Sequence, residues 1–293
     1  MKELKTAVLP AGSIQYQDSG SGPVLLFLHG MMVDHRLWRK VVPALETRYR
    51  CIVPLLPIGS HTLPMPEDAD LSPQGVVRLI VQFMDFLKLD RVTLIANDTG
   101  GAFSQFLMVQ CPERIEKVVL SNCDAFEVFP PRRFEYLVSC SRWPGFMDLM
   151  ALMMRIPGLA ALPTTMGDMS QTRLELLPAY LKPMIRSKAV RRDLAKAFAG
   201  VRKKDMLEVT QQLSRFQKPV LILWGKKDPL FGTHLGERLH RALPQSELVW
   251  MEHSKVLVPE DEPEPMAKWI QHFLQGPLQP QGQATTHQKA FLQ

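Results

Sequence analysis

The chain has 293 residues, of which 46% are hydrophobic, and its 35 Lys and Arg exceed its 29 Asp and Glu, a formal net charge of +6. This length suits one large α/β domain with an insertion. No N-terminal apolar signal and no run of about 18 apolar residues occurs, so we expect neither secretion nor a membrane span. The four cysteines have no paired spacing, which favours a reducing, cytoplasmic compartment.

The first part of the chain alternates predicted strands with predicted helices. Strands are expected as two short segments within the first 20 residues, then at 24–28, 50–54, 91–95 and 116–120, with helices at about 35–47, 73–88 and 99–110. This alternation requires parallel strands with crossover helices, so the fold class is α/β with a mostly parallel sheet. In such sheets the ligand binds at the carboxyl ends of the strands.

The alternation is interrupted after Asp124. Residues 124–215, which we call the cap segment, predict several short helices broken by Pro and Gly. The segment holds 15 Lys and Arg against 9 Asp and Glu, so it carries the whole positive excess of the chain, and the Met-rich stretch 146–154 suggests an adaptable apolar lid or a helix-packing seam. Strands and helices resume from 220 to 274. The predicted organisation is therefore a core of residues 1–123 and 216–275, a helical cap at 124–215, and a disordered tail at 276–293.

Asp98 is the most informative residue of the sequence. It stands where the apolar run Leu94–Asn97 meets the small residues Thr99 to Ala102, a pattern typical of a strand that turns sharply into a helix. A side chain at the apex of such a turn projects above the sheet beside free N–H groups of the next helix. A carboxylate held there can attack carbon electrophiles and form an alkyl ester. The competing interpretation is that Asp98 only caps the helix.

Four motifs together resemble the α/β-hydrolase superfamily, and in particular its branch with an aspartate nucleophile, the epoxide hydrolases and haloalkane dehalogenases. The resemblance covers about residues 5–275. The motifs are the turn at Asp98, the strand Val24–Gly30 ending in His29-Gly30 with Trp38 nine residues after the histidine, the strand Val220–Gly225 followed by Asp228, and Pro259–Pro263 before the last helix. A histidine base usually stands seven residues before the final proline of this pattern, and that position is Val256.

The resemblance implies a role for several residues. The backbone N–H groups of Met31 and Thr99 would point into the site, and Asp228, or alternatively Asp124, would be the acid that orients a base. Without the usual histidine, the base could be His253, His61 or Lys255, or no positioned base exists. His29 and Trp38 are expected to be structural. The predicted pocket comprises His29, Gly30, Asn97, Trp38, His61, Asp124, Tyr136, Tyr180 and Val256.

The predicted function is hydrolysis of a small apolar electrophile through an ester on Asp98. An epoxide is favoured over a haloalkane or an ester, because Thr99 stands where dehalogenases of this branch carry a halide-binding tryptophan. In epoxide hydrolases cap tyrosines polarise the ring, and Tyr136 and Tyr180 are the candidates here. Two alternatives stay open: a non-hydrolytic enzyme that uses Asp98 as acid or base, and a catalytically silent ligand-binding protein. No metal or cofactor and no nucleic-acid partner is implied, and the chain is expected to be a monomer or homodimer.

Overall fold

The computed structural model describes residues 3–162, 165–171 and 175–276, so the predicted tail after Gly276 lies outside the described part. Eight strands form one sheet in the order β1-β2-β4-β3-β5-β6-β7-β8. Antiparallel pairing is confined to β1 with β2 and β2 with β4, and the other neighbours pair parallel. The strands are β1 (Lys5–Leu9), β2 (Gly12–Ser19), β3 (Val24–Leu28), β4 (Arg50–Leu55), β5 (Val92–Asn97), β6 (Ile115–Ser121), β7 (Val220–Gly225) and β8 (Ser246–Met251).

Helices connect the parallel strands. They are α1 (Val42–Leu45), α2 (Pro73–Phe86), α3 (Thr99–Gln110), α4 (Glu135–Cys140), α5 (Phe146–Met153), α6 (Leu177–Arg186), α7 (Lys188–Ala199), α8 (Lys203–Thr210), α9 (Gly232–Ala242), α10 (Val258–Asp261) and α11 (Pro263–Gln275). Helices α4 to α8 all belong to the cap segment, which enters the chain between β6 and β7. The mostly parallel sheet with flanking helices confirms the predicted α/β fold class. No helix of the described residues is long and apolar enough to cross a lipid bilayer.

The central strands are buried on both faces, which explains their uniformly apolar sequence. Leu25, Leu26, Phe27 and Leu28 of β3 have no solvent exposure, because helices cover both sides of a parallel sheet. Helix α2 begins where the sequence predicted it, with the Ser72 hydroxyl accepting the Gly75 N–H at 3.2 Å. The apolar run of β3 and the serine at the start of α2 both predicted these elements from the sequence.

The helix predicted at 35–47 was wrong in one respect. The segment forms a 3₁₀ turn, His35–Trp38, and the separate one-turn helix α1. Pro43 in the first turn of α1 has no N–H to donate to a preceding helical carbonyl, so a continuous helix would lose that bond.

A buried carboxylate ties the cap segment to the core. Asp193 of α7 has a fully buried side chain that accepts hydrogen bonds from His61 Nε2 at 3.1 Å and from the Met65 N–H at 2.8 Å. Burial alone would raise the pKa of Asp193, but the hydrogen bonds from His61, Met65 and Arg192 outweigh it and hold the pKa below its usual value. His61 therefore belongs to the attachment between core and cap.

Replacing Asp193 with Ala should lower the free energy of unfolding by about 2–4 kcal/mol, because the buried donors His61 and Met65 lose their acceptor. Urea unfolding at pH 7 measures this. Glu67→Ala is the matched control, since Glu67 is 92% exposed and pairs with the neighbouring Arg192 at 3.3 Å; its loss should be about 0.5 kcal/mol or less. Equal losses of unfolding free energy in the two variants would contradict the proposed role of Asp193 in joining the cap segment to the core.

Candidate active site

Asp98 occupies a strained turn between β5 and α3. Its backbone has φ 55° and ψ −131°, a conformation that L-residues rarely adopt. The turn is held on both sides, because the Asp98 N–H donates to the Asn122 carbonyl at 2.9 Å and the Gly101 N–H donates to the Asp98 carbonyl at 2.9 Å. Gly100 is required for close approach, since a Cβ there would stand 2.2 Å from the Leu28 carbonyl oxygen.

The Asp98 carboxyl is almost fully buried, with 7% of the residue exposed. Burial raises its pKa to about 7; the Asp228 charge also raises it, while hydrogen bonds from the Thr99 and Met31 backbone N–H groups lower it. The two donors predicted from the sequence thus act on the Asp98 carboxyl itself. Gly30 lies directly against this group, since a Cβ on Gly30 would stand 2.0 Å from Oδ2.

Asp98 faces a cavity of about 60 Å³ beneath the cap segment. Among the described residues, its polar lining consists of Asp98 and Thr99, and the other lining residues are apolar. They are Met31, Met32, Pro130, Pro131, Phe134, Leu137, Met166, Met169 and Phe198. The Met-rich stretch 146–154 does not line it, and Met166 and Met169 take that place. No cavity-lining residue within the described ranges is a histidine.

Asp228 has a different partner from the one that the resemblance implies. Its Oδ2 accepts from Asn122 Nδ2 at 2.6 Å, and its Oδ1 accepts the N–H groups of Leu230 and Phe231 at 2.7 and 3.1 Å. Burial nevertheless raises the pKa of Asp228. Asn122 was missed as a functional candidate, although its position at the end of β6, beside β7, is the signal that could have indicated it.

Asp124 is a second buried carboxyl next to Asp98. It is 1% exposed, and its Oδ1 has no hydrogen-bond partner among the described residues. Burial, together with the charge of Asp98, raises its pKa well above the usual value, while the Thr99 hydroxyl stabilises the ionised form. The surroundings of Asp124 therefore favour its neutral form.

None of the three bases considered from the sequence reaches the cavity. His253 lies in an exposed turn, with its backbone N–H on Glu262 Oε2 at 2.9 Å. Lys255 forms an ion pair with Asp168, and His61 is bonded to Asp193. None of these three side chains is placed to act as a base at Asp98.

Val256 occupies the place of the usual histidine as a fully buried side chain. Its carbonyl accepts a hydrogen bond from Asn97 Nδ2 at 2.8 Å. Asn97 therefore fixes the loop that carries Val256 against the end of β5. The apolar side chain of Val256 supplies no proton acceptor.

The other predicted pocket residues are either packed in the protein interior or exposed on the surface. His29 is buried, with Nδ1 2.8 Å from the Gly30 carbonyl and Nε2 accepting the Leu56 N–H at 2.9 Å, and burial lowers its pKa to about 4. Trp38 packs on Phe27 with ring centroids 5.2 Å apart. Tyr136 is 51% exposed and Tyr180 is fully buried, and neither lines the cavity.

Residues 23–274 match the family model described as the alpha/beta hydrolase fold. The chain belongs to the α/β-hydrolase fold family. It is 27% identical over 269 residues to haloalkane dehalogenase 2 of Mycobacterium tuberculosis, covering 88% of this chain and 90% of that protein. It is also 27% identical over 283 residues to the cis-3-alkyl-4-alkyloxetan-2-one decarboxylase of Xanthomonas campestris, with coverages of 92% and 94%.

A solved structure of an alpha/beta hydrolase fold protein from Burkholderia ambifaria superposes with a TM-score of 0.77 at 21% identity, covering 92% of this chain and 98% of that one. At this low sequence identity, the structural similarity supports the fold alone. The family assignment confirms the resemblance stated from the four sequence motifs, and it places the chain among hydrolase-type enzymes.

Replacing Asp98 with Asn should stabilise the protein in a pH-dependent manner. The folded pKa of about 7 exceeds the usual 3.8, so the folded state holds the extra proton between these values and wild-type stability falls as pH rises through them. The stability difference should grow from near zero below pH 4 to about 4 kcal/mol at pH 8. Urea unfolding across this range measures it, and a difference independent of pH would contradict a raised pKa.

Proposed function

We propose that this enzyme opens small, mostly apolar electrophiles by attack of the Asp98 carboxylate on carbon, with an epoxide favoured over a lactone or a haloalkane. The observation that carries the proposal is a buried carboxylate on a strained turn, facing a cavity of about 60 Å³ whose other lining, among the described residues, is apolar except for Thr99. The names of the two relatives support the chemistry, because a haloalkane and an oxetan-2-one, a four-membered lactone, both present an electrophilic carbon.

The proton for the leaving oxygen is proposed to come through Thr99. This residue lines the cavity, and its hydroxyl is hydrogen-bonded to the Asp124 carboxyl, whose pKa is raised by burial. Ring opening forms the Asp98 ester and breaks the carbon–oxygen bond. The released alkoxide takes the Thr99 hydroxyl proton, and Asp124 replaces that proton. This relay substitutes for the cap tyrosines, which do not line the cavity.

The same relay supplies a base for the second step. Once Asp124 has delivered its proton it is a carboxylate, and through Thr99 it can accept a proton from the water that attacks the ester. Hydrolysis then restores the Asp98 carboxylate and the protonated Asp124. A carboxyl that alternates as acid and base is a known solution in hydrolases. The base is a buried carboxyl that acts through Thr99, and not a histidine in direct contact with the attacking water. Ester hydrolysis should therefore be the slow step.

A second candidate function rests on the pKa of Asp98. A carboxyl with a pKa of about 7 is suited to general acid–base catalysis near neutral pH. In that case Asp98 would move a proton on the substrate without forming an ester, and the product would contain no oxygen from water.

Incubation with a small aliphatic epoxide should add the epoxide mass to the protein, at a rate that rises as pH increases through about 7 because Asp98 must be ionised to attack. Intact-protein mass spectrometry with peptide mapping measures the adduct. Asp98→Asn should abolish it. Asp85→Asn, at an exposed carboxylate paired with Arg114 at 2.8 Å, is the matched control and should leave it unchanged.

Product formation that survives Asp98→Asn would contradict the proposed nucleophile. Product formed without an adduct, and without label from isotopically labelled water, would favour the acid–base alternative. Neither adduct nor product across epoxides, β-lactones and haloalkanes would contradict both.

Asp124→Asn removes the proton source for ring opening and the base for the second step. The adduct should therefore form more slowly and, once formed, should be hydrolysed roughly 10²–10⁴-fold more slowly, the usual contribution of a general base. The lifetime of the adduct after removal of excess epoxide measures this effect. A lifetime equal to that of the wild type would contradict the relay through Thr99 while leaving Asp98 as nucleophile.

A further inference from the structure

Helix α5 of the cap segment has one buried and one exposed apolar face. Met147, Met150 and Ala151 are buried, where α5 packs against α6 and α7. Leu149, Leu152, Met153 and Ile156 are exposed to 55%, 59%, 44% and 57%. We call these four residues the α5 apolar face. Their spacing of three and four residues places them on one side of the helix and its following turn.

The exposed apolar surface extends beyond this face. Trp143, in the turn before α5, is 66% exposed. Among the described residues, eight of the eleven exposed large hydrophobic side chains belong to the cap segment: Tyr136, Trp143, Leu149, Leu152, Met153, Ile156, Leu162 and Leu207. Scattered apolar residues need no explanation, but a concentration in one segment is typical of an interaction surface.

Basic side chains flank the α5 apolar face. Arg142 donates to the Ala199 carbonyl at 3.1 Å and Arg155 to the Ile185 carbonyl at 3.4 Å, and neither has a carboxylate partner in the described residues. The one acidic residue of α5, Asp148, is neutralised by Arg191 at 2.6 Å. The cap segment as a whole contains six more basic than acidic residues, while the rest of the chain is balanced.

We propose that the α5 apolar face and Trp143 dock the enzyme on an anionic lipid surface. An exposed apolar helix face accompanied by basic side chains can enter the boundary between headgroups and acyl chains, and an exposed tryptophan is suited to the same depth. A second copy of the chain fits less well, because association through this face would bring two cap segments of like charge together. The docking does not depend on the reaction proposed for Asp98.

Flotation of the full chain with phosphatidylcholine vesicles, with and without about one third phosphatidylserine, tests the proposal. Binding should require phosphatidylserine and weaken at high salt. The double variant Leu149→Ser/Leu152→Ser should lower the partition coefficient tenfold or more, and Arg142→Gln/Arg155→Gln should lower it about fivefold per arginine. Control variants on the core are Val8→Ser/Phe86→Ser, at residues 72% and 46% exposed, and Arg48→Gln; these should bind as the wild type does.

Three outcomes would overturn the proposal. One is no binding to either vesicle, and another is binding that is equally weakened by the core and cap variants. The third is a dimer in sedimentation velocity that Leu149→Ser/Leu152→Ser dissociates without changing vesicle binding, which would assign the face to a second copy.

Discussion

The arrangement of the site depends on one constrained turn, in which the chain passes from β5 to α3 through a residue with positive φ. That conformation is unfavourable for an aspartate and persists because both sides of the turn are bonded, to Asn122 and to Gly101. The turn directs the Asp98 carboxyl away from the sheet and towards the cavity. The Met31 loop follows β3, the strand that neighbours β5, and its N–H group then meets the same carboxyl. Geometry of the main chain, more than side-chain contacts, thus positions the Asp98 carboxyl.

The carboxyls of Asp98, Asp124 and Asp228 would repel one another if all were ionised. The structure gives each of them a different hydrogen-bonding environment. Asp228 accepts hydrogen bonds from Asn122 and two backbone N–H groups, which oppose the rise in its pKa caused by burial. One oxygen of Asp124 has no hydrogen-bond partner among the described residues. Asp98 accepts two backbone N–H bonds, and its pKa is raised to about 7. Environments that separate the pKa values of neighbouring acids are how proteins assign acid and base roles to identical side chains. Here the separation arises without a histidine.

The sequence was a good guide wherever one local rule decided the structure. The uninterrupted apolar run of β3, the serine before α2 and the small residues around Asp98 each led to an element that the structure contains. The prediction of one helix at 35–47 was less accurate. Hydrophobic periodicity alone does not reveal that Pro43 lacks the N–H group that a continuous helix would need. The cavity lining could not be derived, since Met166, Met169 and Phe198 converge from distant parts of the cap segment. The same holds for Asn122, whose partnership with Asp228 depends on how β6 and β7 are aligned.

The bond between Asn97 and the Val256 carbonyl has a consequence for how such a site can change over time. The bond is made to a main-chain carbonyl, so it does not depend on which side chain position 256 carries. The backbone that carries position 256 is therefore held independently of the side chain there. Under the chemistry proposed for Asp98, a change in the rate of ester hydrolysis would then need one substitution and the packing space for it, with no new backbone. A lineage could on that proposal pass between a fast and a slow catalyst while its architecture stays the same.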